Sequence, residues 1–111
     1  MAAITITGSD TSTGNLTMSD RGSTDANRGE LVTWIIGPNS GVSSITEIQK
    51  YESSTNVFES GPAPLGGNSK NWQGKIKNQL EVPATETYFI KWMDSSGGGP
   101  HTYDPTIRIN R

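Results

Sequence analysis

The chain has 111 residues, a formal net charge of −2 and no cysteine, and 31% of its residues are hydrophobic. A chain of this length has room for one modest core, so we expect a single domain over residues 1–111. The absence of cysteine excludes disulfides, thiolate metal sites and thiol nucleophiles. The basic residues are scattered and no apolar run is long enough for a transmembrane helix, so neither nucleic acid nor a membrane span is expected.

The N-terminal sequence Met-Ala-Ala-Ile-Thr-Ile-Thr-Gly lacks the basic stretch and the long apolar run of a signal peptide. We therefore expect either a cytoplasmic protein or a secreted protein whose leader has been removed. Asn15-Leu-Thr17 matches the acceptor sequence for N-glycosylation, which matters only in a eukaryotic secretory pathway.

Apolar and polar residues alternate along most of the chain, which is typical of half-buried β-strands. In chain order the pattern predicts strands around residues 4–6, 16–18, 31–36, 57–58, 72–76, 88–93 and 107–109. The strand at 31–36 is apolar on both faces, which favours a central position in its sheet. Residues 43–51 are ambiguous, because Ile45 and Ile48 have helical spacing whereas the composition favours a strand; we assign a strand with a bulge.

Clusters of Gly, Ser, Asn, Asp and Pro separate these segments and predict turns at residues 8–14, 20–29, 37–44, 60–71 and 94–100. The proline-rich stretch at 60–67 is interpreted as carrying the chain between two sheets. About seven or eight short strands with such turns predict an all-β fold, a single two-sheet Greek-key β-sandwich.

Three segments resemble strands of the cupredoxin family. Gly29-Glu-Leu-Val-Thr-Trp34 is similar to its G-(D/E)-x-V-x-W strand, Glu86-Thr-Tyr-Phe-Ile-Lys-Trp92 to its T-Y-x-(F/Y)-x-C strand, and Pro105-Thr-Ile-Arg-Ile109 to its closing strand. The resemblance implies a Greek-key sandwich, with an immunoglobulin-like sandwich as the alternative. It does not imply copper, because a blue-copper centre needs two imidazoles and a thiolate. This chain has one histidine and no cysteine, so no metal ligand is carried over.

His101 stands near Tyr103 and Asp104, after three glycines, and is the first candidate for a ligand-binding site. A histidine and an aspartate could share a proton in a small hydrolase or metal-dependent enzyme. No motif for a serine or cysteine nucleophile accompanies them, so a hairpin turn is the favoured interpretation.

Loop aspartates could supply oxygen ligands to calcium, but they do not follow the spacing of a dedicated calcium loop. Turn-forming roles are therefore favoured for all of them: Asp10, Asp20, Asp25, Asp94 and Asp104. No cofactor, metal or catalytic residue is predicted.

Among the three tryptophans, Trp34 and Trp92 lie on the inward faces of predicted strands, and Trp72 is the best candidate for a surface aromatic. An exposed indole suits carbohydrate binding, although Trp72 shares a face with Ile76 and a core position is favoured for it.

These observations predict a non-catalytic recognition or assembly module that acts through loops and strand edges, with a protein partner or self-association. The segment Ile4-Thr-Ile6 is a candidate edge for pairing with a neighbouring copy. A carbohydrate-binding module using Trp72 is the alternative. A small enzyme centred on His101 and Asp104 is the second alternative.

Overall fold

The computed structural model describes residues 2–20, 22–51, 56–64 and 71–110. Within these ranges the chain forms β-strands and no helix, as the alternating pattern predicts. The strands are β1 (Ala2–Ser9), β2 (Leu16–Met18), β3 (Ser23–Ala26), β4 (Leu31–Ile36), β5 (Val42–Lys50), β6 (Phe58–Pro64), β7 (Trp72–Ile76), β8 (Ala84–Asp94), β9 (His101–Tyr103) and β10 (Thr106–Ile109). In this part of the chain there is accordingly no helix that could span a membrane.

The strands form two five-stranded sheets. The first sheet has the order β2-β1-β4-β7-β6, and the second has the order β3-β10-β8-β5, with β9 also paired to β8. β1 runs parallel to β4 and β3 runs parallel to β10, whereas the other pairs are antiparallel. β10 and β9 lie end to end along one side of β8, and β5 pairs with its other side. β8 is therefore hydrogen-bonded to every strand of the second sheet except β3.

The apolar faces of the two sheets enclose one core, in which Trp34 of β4 meets Tyr88 of β8. Their ring centroids are 5.7 Å apart in an edge-on arrangement, and the Trp34 indole N–H donates a 3.1 Å hydrogen bond to the Tyr88 hydroxyl. Both side chains are at most 1% exposed. The hydrogen bond satisfies an indole N–H that would otherwise be buried without a partner. The fold is therefore sandwich-like.

Two expectations about individual strands are confirmed. β4 is the central strand of its sheet, as its two apolar faces predict. β5 is a strand with irregular pairing, and its register against β8 shifts between Val42 and Ser44 and again between Ile45 and Glu47. The helical spacing of Ile45 and Ile48 is explained by these shifts, because each bulge changes which face a residue occupies.

Three strands lie where turns were expected. β3 falls within residues 20–29, and it is held by parallel pairing with β10 rather than by strong hydrophobicity of its own. β6 continues to Pro64 and pairs with β7 in the same sheet, so the prediction that this stretch carries the chain between sheets is wrong for its described part. β9 occupies residues that were assigned to a loop. The remainder of the expected 60–71 turn, residues 65–70, lies outside the described residues.

The edge strands also differ from the expectation. β1 lies between β2 and β4, so the segment Ile4-Thr-Ile6 is not a free edge. Among the described residues, the edges are β2 and β6 in one sheet and β3, β5 and the three-residue β9 in the other. β2 and β3 are only three and four residues long, whereas β5 and β6 have nine and seven. The chain passes between the sheets from β5 to β6, and these two long edges are neighbours in space.

Candidate functional site

The candidate site is a groove of about 610 Å³ between the edge strands β5 and β6. We call it the β5–β6 groove. Its lining comprises Glu47, Ile48, Gln49, Lys50, Asn56, Phe58, Gly61, Pro62, Ala63, Pro64, Trp72 and Glu86. The groove therefore combines the backbone of two edge strands with apolar side chains and three charged groups.

Glu86 enters the groove because of the alternation along β8. Alternate residues of β8 from Glu86 to Asp94 point inward and are buried, and the first of them lies beside the passage from β5 to β6. Its side chain is 1% exposed. A carboxyl group at this depth is unusual, since acidic residues are rarely fully buried without a partner.

The partners of Glu86 are few. Its Oε1 atom accepts a 3.3 Å hydrogen bond from the backbone N–H of Val57. Lys50 and Lys77 act on Glu86 through their charge but form no ion pair with it. Burial raises the pKa of Glu86 to about 7, against the lowering effects of the Val57 hydrogen bond and the two lysines.

The apolar wall of the groove is built by Phe58 and Trp72. In the sheet register, Trp72 of β7 lies opposite Trp34 of β4 on one side and opposite Pro64 of β6 on the other. Phe58 lies over Gly74, where a Cβ atom would come within 2.9 Å of the phenyl ring, so only glycine leaves room for the ring at this point. Trp72 is 8% exposed and belongs to the core cluster, in agreement with the core interpretation of its pattern.

His101 does not meet Asp104. The register of the β8–β9 pair places Trp92 opposite His101, which brings the imidazole to the end of β8. There His101 Nε2 lies 2.8 Å from Asp94 Oδ2, and the imidazole ring lies 4.4 Å from the Trp92 ring. Asp104 instead accepts a hydrogen bond from the hydroxyl of Tyr51. The predicted pairing of His101 with Asp104 is therefore not present.

Asp94 closes the hairpin that joins β8 to β9. Its Oδ1 atom accepts hydrogen bonds from the backbone N–H and hydroxyl of Ser96, at 2.9 and 2.6 Å, and from the backbone N–H of Gly98, at 3.0 Å. The Ser96 hydroxyl, His101 and these backbone groups hold the pKa of Asp94 well below its usual range. All of these contacts stabilise the ionised carboxylate as a turn cap.

The other candidate residues also have local structural partners. Asp10 accepts a hydrogen bond from the backbone of Ser12, and Asp20 accepts one from the backbone of Gly22. These are turn contacts of the kind expected for loop aspartates. No group of three metal-binding side chains comes together in the described ranges.

Asp25 and Tyr103 complete the set of predicted residues. Asp25 forms an exposed ion pair with Arg108 at 3.1 Å. Tyr103 packs partly buried against the core, and burial raises the pKa of its hydroxyl. Neither side chain joins His101 in a site.

Sequence reasoning missed Glu86 as a site residue. The signal was present in the alternation of β8, because Glu86 shares the face of Tyr88, Ile90 and Trp92. An acidic residue in register with three large core residues indicates a buried carboxyl group.

No protein-family model and no curated protein matches this sequence. The function is therefore inferred from the residues and their geometry.

Proposed function

We propose that the protein is a non-catalytic recognition module that binds an extended protein segment along the β5–β6 groove. The observation that carries this proposal is that two long edge strands from different sheets lie side by side around an aromatic-walled groove. The finer fold assignment, a Greek-key sandwich of cupredoxin-like or immunoglobulin-like type, belongs to the same proposal. It is supported by two facing sheets with the Gly29–Trp34 segment at the centre of one of them.

β5 supplies a short regular template for strand addition. Residues 47–50 pair with β8 without interruption, and all four of them line the groove. Among the described residues β5 pairs only with β8, so its other edge presents unpaired backbone groups. Such an edge can bind an extended segment by main-chain hydrogen bonds, while neighbouring pockets select its side chains.

β6 contributes differently. Pro62 and Pro64 have no backbone N–H, which weakens β6 as a template for strand pairing. Their rings instead add apolar surface to the groove. We therefore assign backbone pairing to β5 and side-chain contacts to β6.

The bonding around His101 favours a structural role over catalysis. The Ser96 hydroxyl donates to Asp94 and not to His101, so the three groups do not form a nucleophile–base–acid relay. A sugar-binding role for Trp72 is disfavoured by the burial of its indole, since stacking on a sugar needs an open ring face.

Selection from a displayed library of random 12-residue peptides, followed by amide NMR mapping, tests the proposal. We expect enriched peptides to shift the amide resonances of residues 47–50 and the indole resonance of Trp72, while β2 and β3 remain unchanged. Failure to enrich any peptide, or shifts confined to other faces, would contradict the proposal. Light scattering tests whether the segment comes from a second copy of this chain. If the protein is a dimer, and if dilution to the monomer shifts the same amide resonances, the partner is a second copy.

A further inference from the structure

We propose that the β5–β6 groove selects an extended segment carrying an acidic side chain, whose carboxylate binds the ammonium group of Lys50 in competition with the ionised carboxylate of Glu86. This inference rests on the proposed function and adds the chemistry of the partner. It follows from the register of β5 on β8, which places Lys50 at the groove, and from the contacts that place Glu86 between two lysines.

Lys50 lies on the inward face of β5. The β5–β8 register places it opposite Tyr88, and Tyr88 belongs with Glu86 to the buried face of β8. Residues that lie opposite each other in an antiparallel pair share a face, so the Lys50 side chain starts from the same side of the sheet as Glu86. Lys50 is half-buried and lines the groove. Its ammonium group is therefore within reach of a segment that pairs with residues 47–50.

Lys50 has no acidic partner in the described part of the chain. Its ammonium group donates to the carbonyl oxygen of Tyr51 at 3.3 Å, and it forms no ion pair with a described carboxylate. Glu47, which also lines the groove, is bound to Lys91 at 3.7 Å on the outward face of the β5–β8 pair. A carboxylate from a partner therefore supplies the opposite charge that the described chain does not give to Lys50.

Glu86 lies between Lys50 and Lys77. It precedes Tyr88 by two residues on β8, which makes it a diagonal neighbour of Lys50 across the β5–β8 pair. On the other side Val57 connects it to Lys77, because the Val57 N–H donates to Glu86 and the Val57 carbonyl oxygen accepts a 3.0 Å hydrogen bond from the Lys77 backbone N–H. The charges that act on Glu86 are those of the two lysines. This end of the groove therefore favours an anion over a cation.

The other ionisable groups on the strands around Glu86 do not change its surroundings near neutral pH. They are either paired or neutral: Glu59 of β6 with Lys75 of β7, Arg108 of β10 with Asp25 of β3, and Tyr88, whose pKa is raised by burial. The single histidine, His101, lies beside Asp94 at the opposite end of β8. Glu86 is therefore the group whose titration controls the charge beside Lys50.

The competition between Glu86 and the segment gives the binding a pH dependence of defined sign. Because burial raises the pKa of Glu86 to about 7, its side chain is mostly neutral at pH 6 and mostly ionised at pH 8. A glutamate in a peptide has an ordinary pKa of about 4.3 and stays ionised throughout this range. The ionised Glu86 repels that carboxylate and attracts Lys50, so we expect the affinity to fall about fivefold between pH 6 and pH 8.

The test uses two synthetic peptides, acetyl-Thr-Val-Glu-Val-Thr-amide and its counterpart with glutamine in place of glutamate. Amide NMR titration of the full chain at pH 6 gives both affinities. We expect the glutamine peptide to bind about fivefold more weakly, which corresponds to a partly solvated ion pair. Lys50→Gln should reduce the affinity for the glutamate peptide to that for the glutamine peptide.

Two further variants test the role of Glu86 and the specificity of the lysine effect. Glu86→Gln keeps an acceptor for the Val57 N–H and remains neutral, so the glutamate peptide should bind it equally well at pH 6 and pH 8. A fivefold fall that persists in this variant would overturn the competition. Lys75→Gln is the matched control, because Lys75 is bound to Glu59 and does not line the groove; both affinities should stay unchanged.

The outcomes separate this inference from the proposed function. Equal affinity of the two peptides for the groove overturns the acidic-segment inference while the recognition function stands. Binding of neither peptide also overturns the acidic-segment inference, and the library selection then decides on the recognition function.

Discussion

The two ends of the inward face of β8 carry buried carboxyl groups in opposite electrostatic environments. Asp94 accepts hydrogen bonds on both oxygens, and its partners include an imidazole, a hydroxyl and two backbone N–H groups. Glu86 accepts a hydrogen bond from the backbone N–H of Val57 at 3.3 Å. The pKa of Asp94 is lowered and that of Glu86 is raised to about 7, although both residues are at most 5% exposed.

This difference shows that burial alone does not determine the role of a carboxyl group. Asp94 is provided with donors by its own hairpin, so its charge stabilises the fold. The surroundings of Glu86 do little to stabilise its charge, so the ionised form of Glu86 destabilises the folded state. A residue that costs stability at neutral pH, and that lies in a groove, is a candidate for function rather than for structure.

The largest effect is expected for Asp94→Ala, which removes the cap of the β8–β9 hairpin and leaves several donors without an acceptor. We expect it to lower the melting temperature more than any variant below at pH 7. The folded-state pKa of Asp94 is depressed, so its stabilisation is present above the unfolded-state pKa and is lost as the pH falls through the acidic range. The difference from the native chain should therefore shrink at pH 3.

Asp104→Ala is the matched control for that variant, because Asp104 is exposed and accepts its hydrogen bond from the exposed side chain of Tyr51. An equal loss of melting temperature in the two variants would contradict the role assigned to Asp94.

Glu86→Gln is expected to stabilise the fold at alkaline pH. The folded-state pKa of Glu86 is about 7 against an ordinary value of 4.5, so its neutral form favours folding. The associated stability is present below about pH 4.5 and is lost as the pH rises through 7. The variant should gain up to about 3 kcal/mol at pH 8 and almost nothing at pH 4, using about 1.4 kcal/mol per pKa unit. Urea unfolding at both pH values measures the gain, and a loss at pH 8 would contradict it.

Tyr88→Phe tests the hydrogen bond between Tyr88 and Trp34. Tyr88 lies between the two carboxyl groups on the inward face of β8. The variant leaves the buried indole N–H of Trp34 without its acceptor, at a cost of about 1–3 kcal/mol in the free energy of unfolding. Tyr103→Phe is the control, because the Tyr103 side chain is only partly buried. A Tyr88→Phe variant as stable as the native chain would show that the Trp34 contact adds nothing to the core.

The smallest effect is expected for Tyr51→Phe. Tyr51 is 37% exposed, and its hydroxyl bonds to the exposed carboxylate of Asp104. Loss of this surface contact should change the free energy of unfolding by less than about 1 kcal/mol. Chemical denaturation would detect a larger change, which would mean that this contact supports the passage from β5 to β6.

The sequence predicted the strands whose burial follows from their own alternation. β4, β7 and β8 alternate large apolar residues with polar ones over most of their length, and the structure buries those apolar residues. β3 has no such pattern, and Thr24 and Ala26 are buried because β10 pairs alongside them. β6 has turn-like composition, but an edge strand tolerates proline.

The residues that meet in each candidate site are determined by the register of the paired strands, which cannot be predicted from composition. His101 and Asp104 are close in sequence, yet the β8–β9 register carries His101 to Asp94. The β5–β6 groove likewise exists because two strands from different sheets become neighbours. Only the inward position of Glu86 could have been predicted from the alternation of β8.

Carbon-detected NMR titration of the side-chain carboxyl groups measures the contrast between Glu86 and Asp94 directly. We expect Glu86 to titrate near pH 7, about two units or more above its ordinary value, and Asp94 to remain ionised well below its usual range. A Glu86 midpoint near 4.5 would contradict this account, because the surroundings of Glu86 would then stabilise its charge as well as water does.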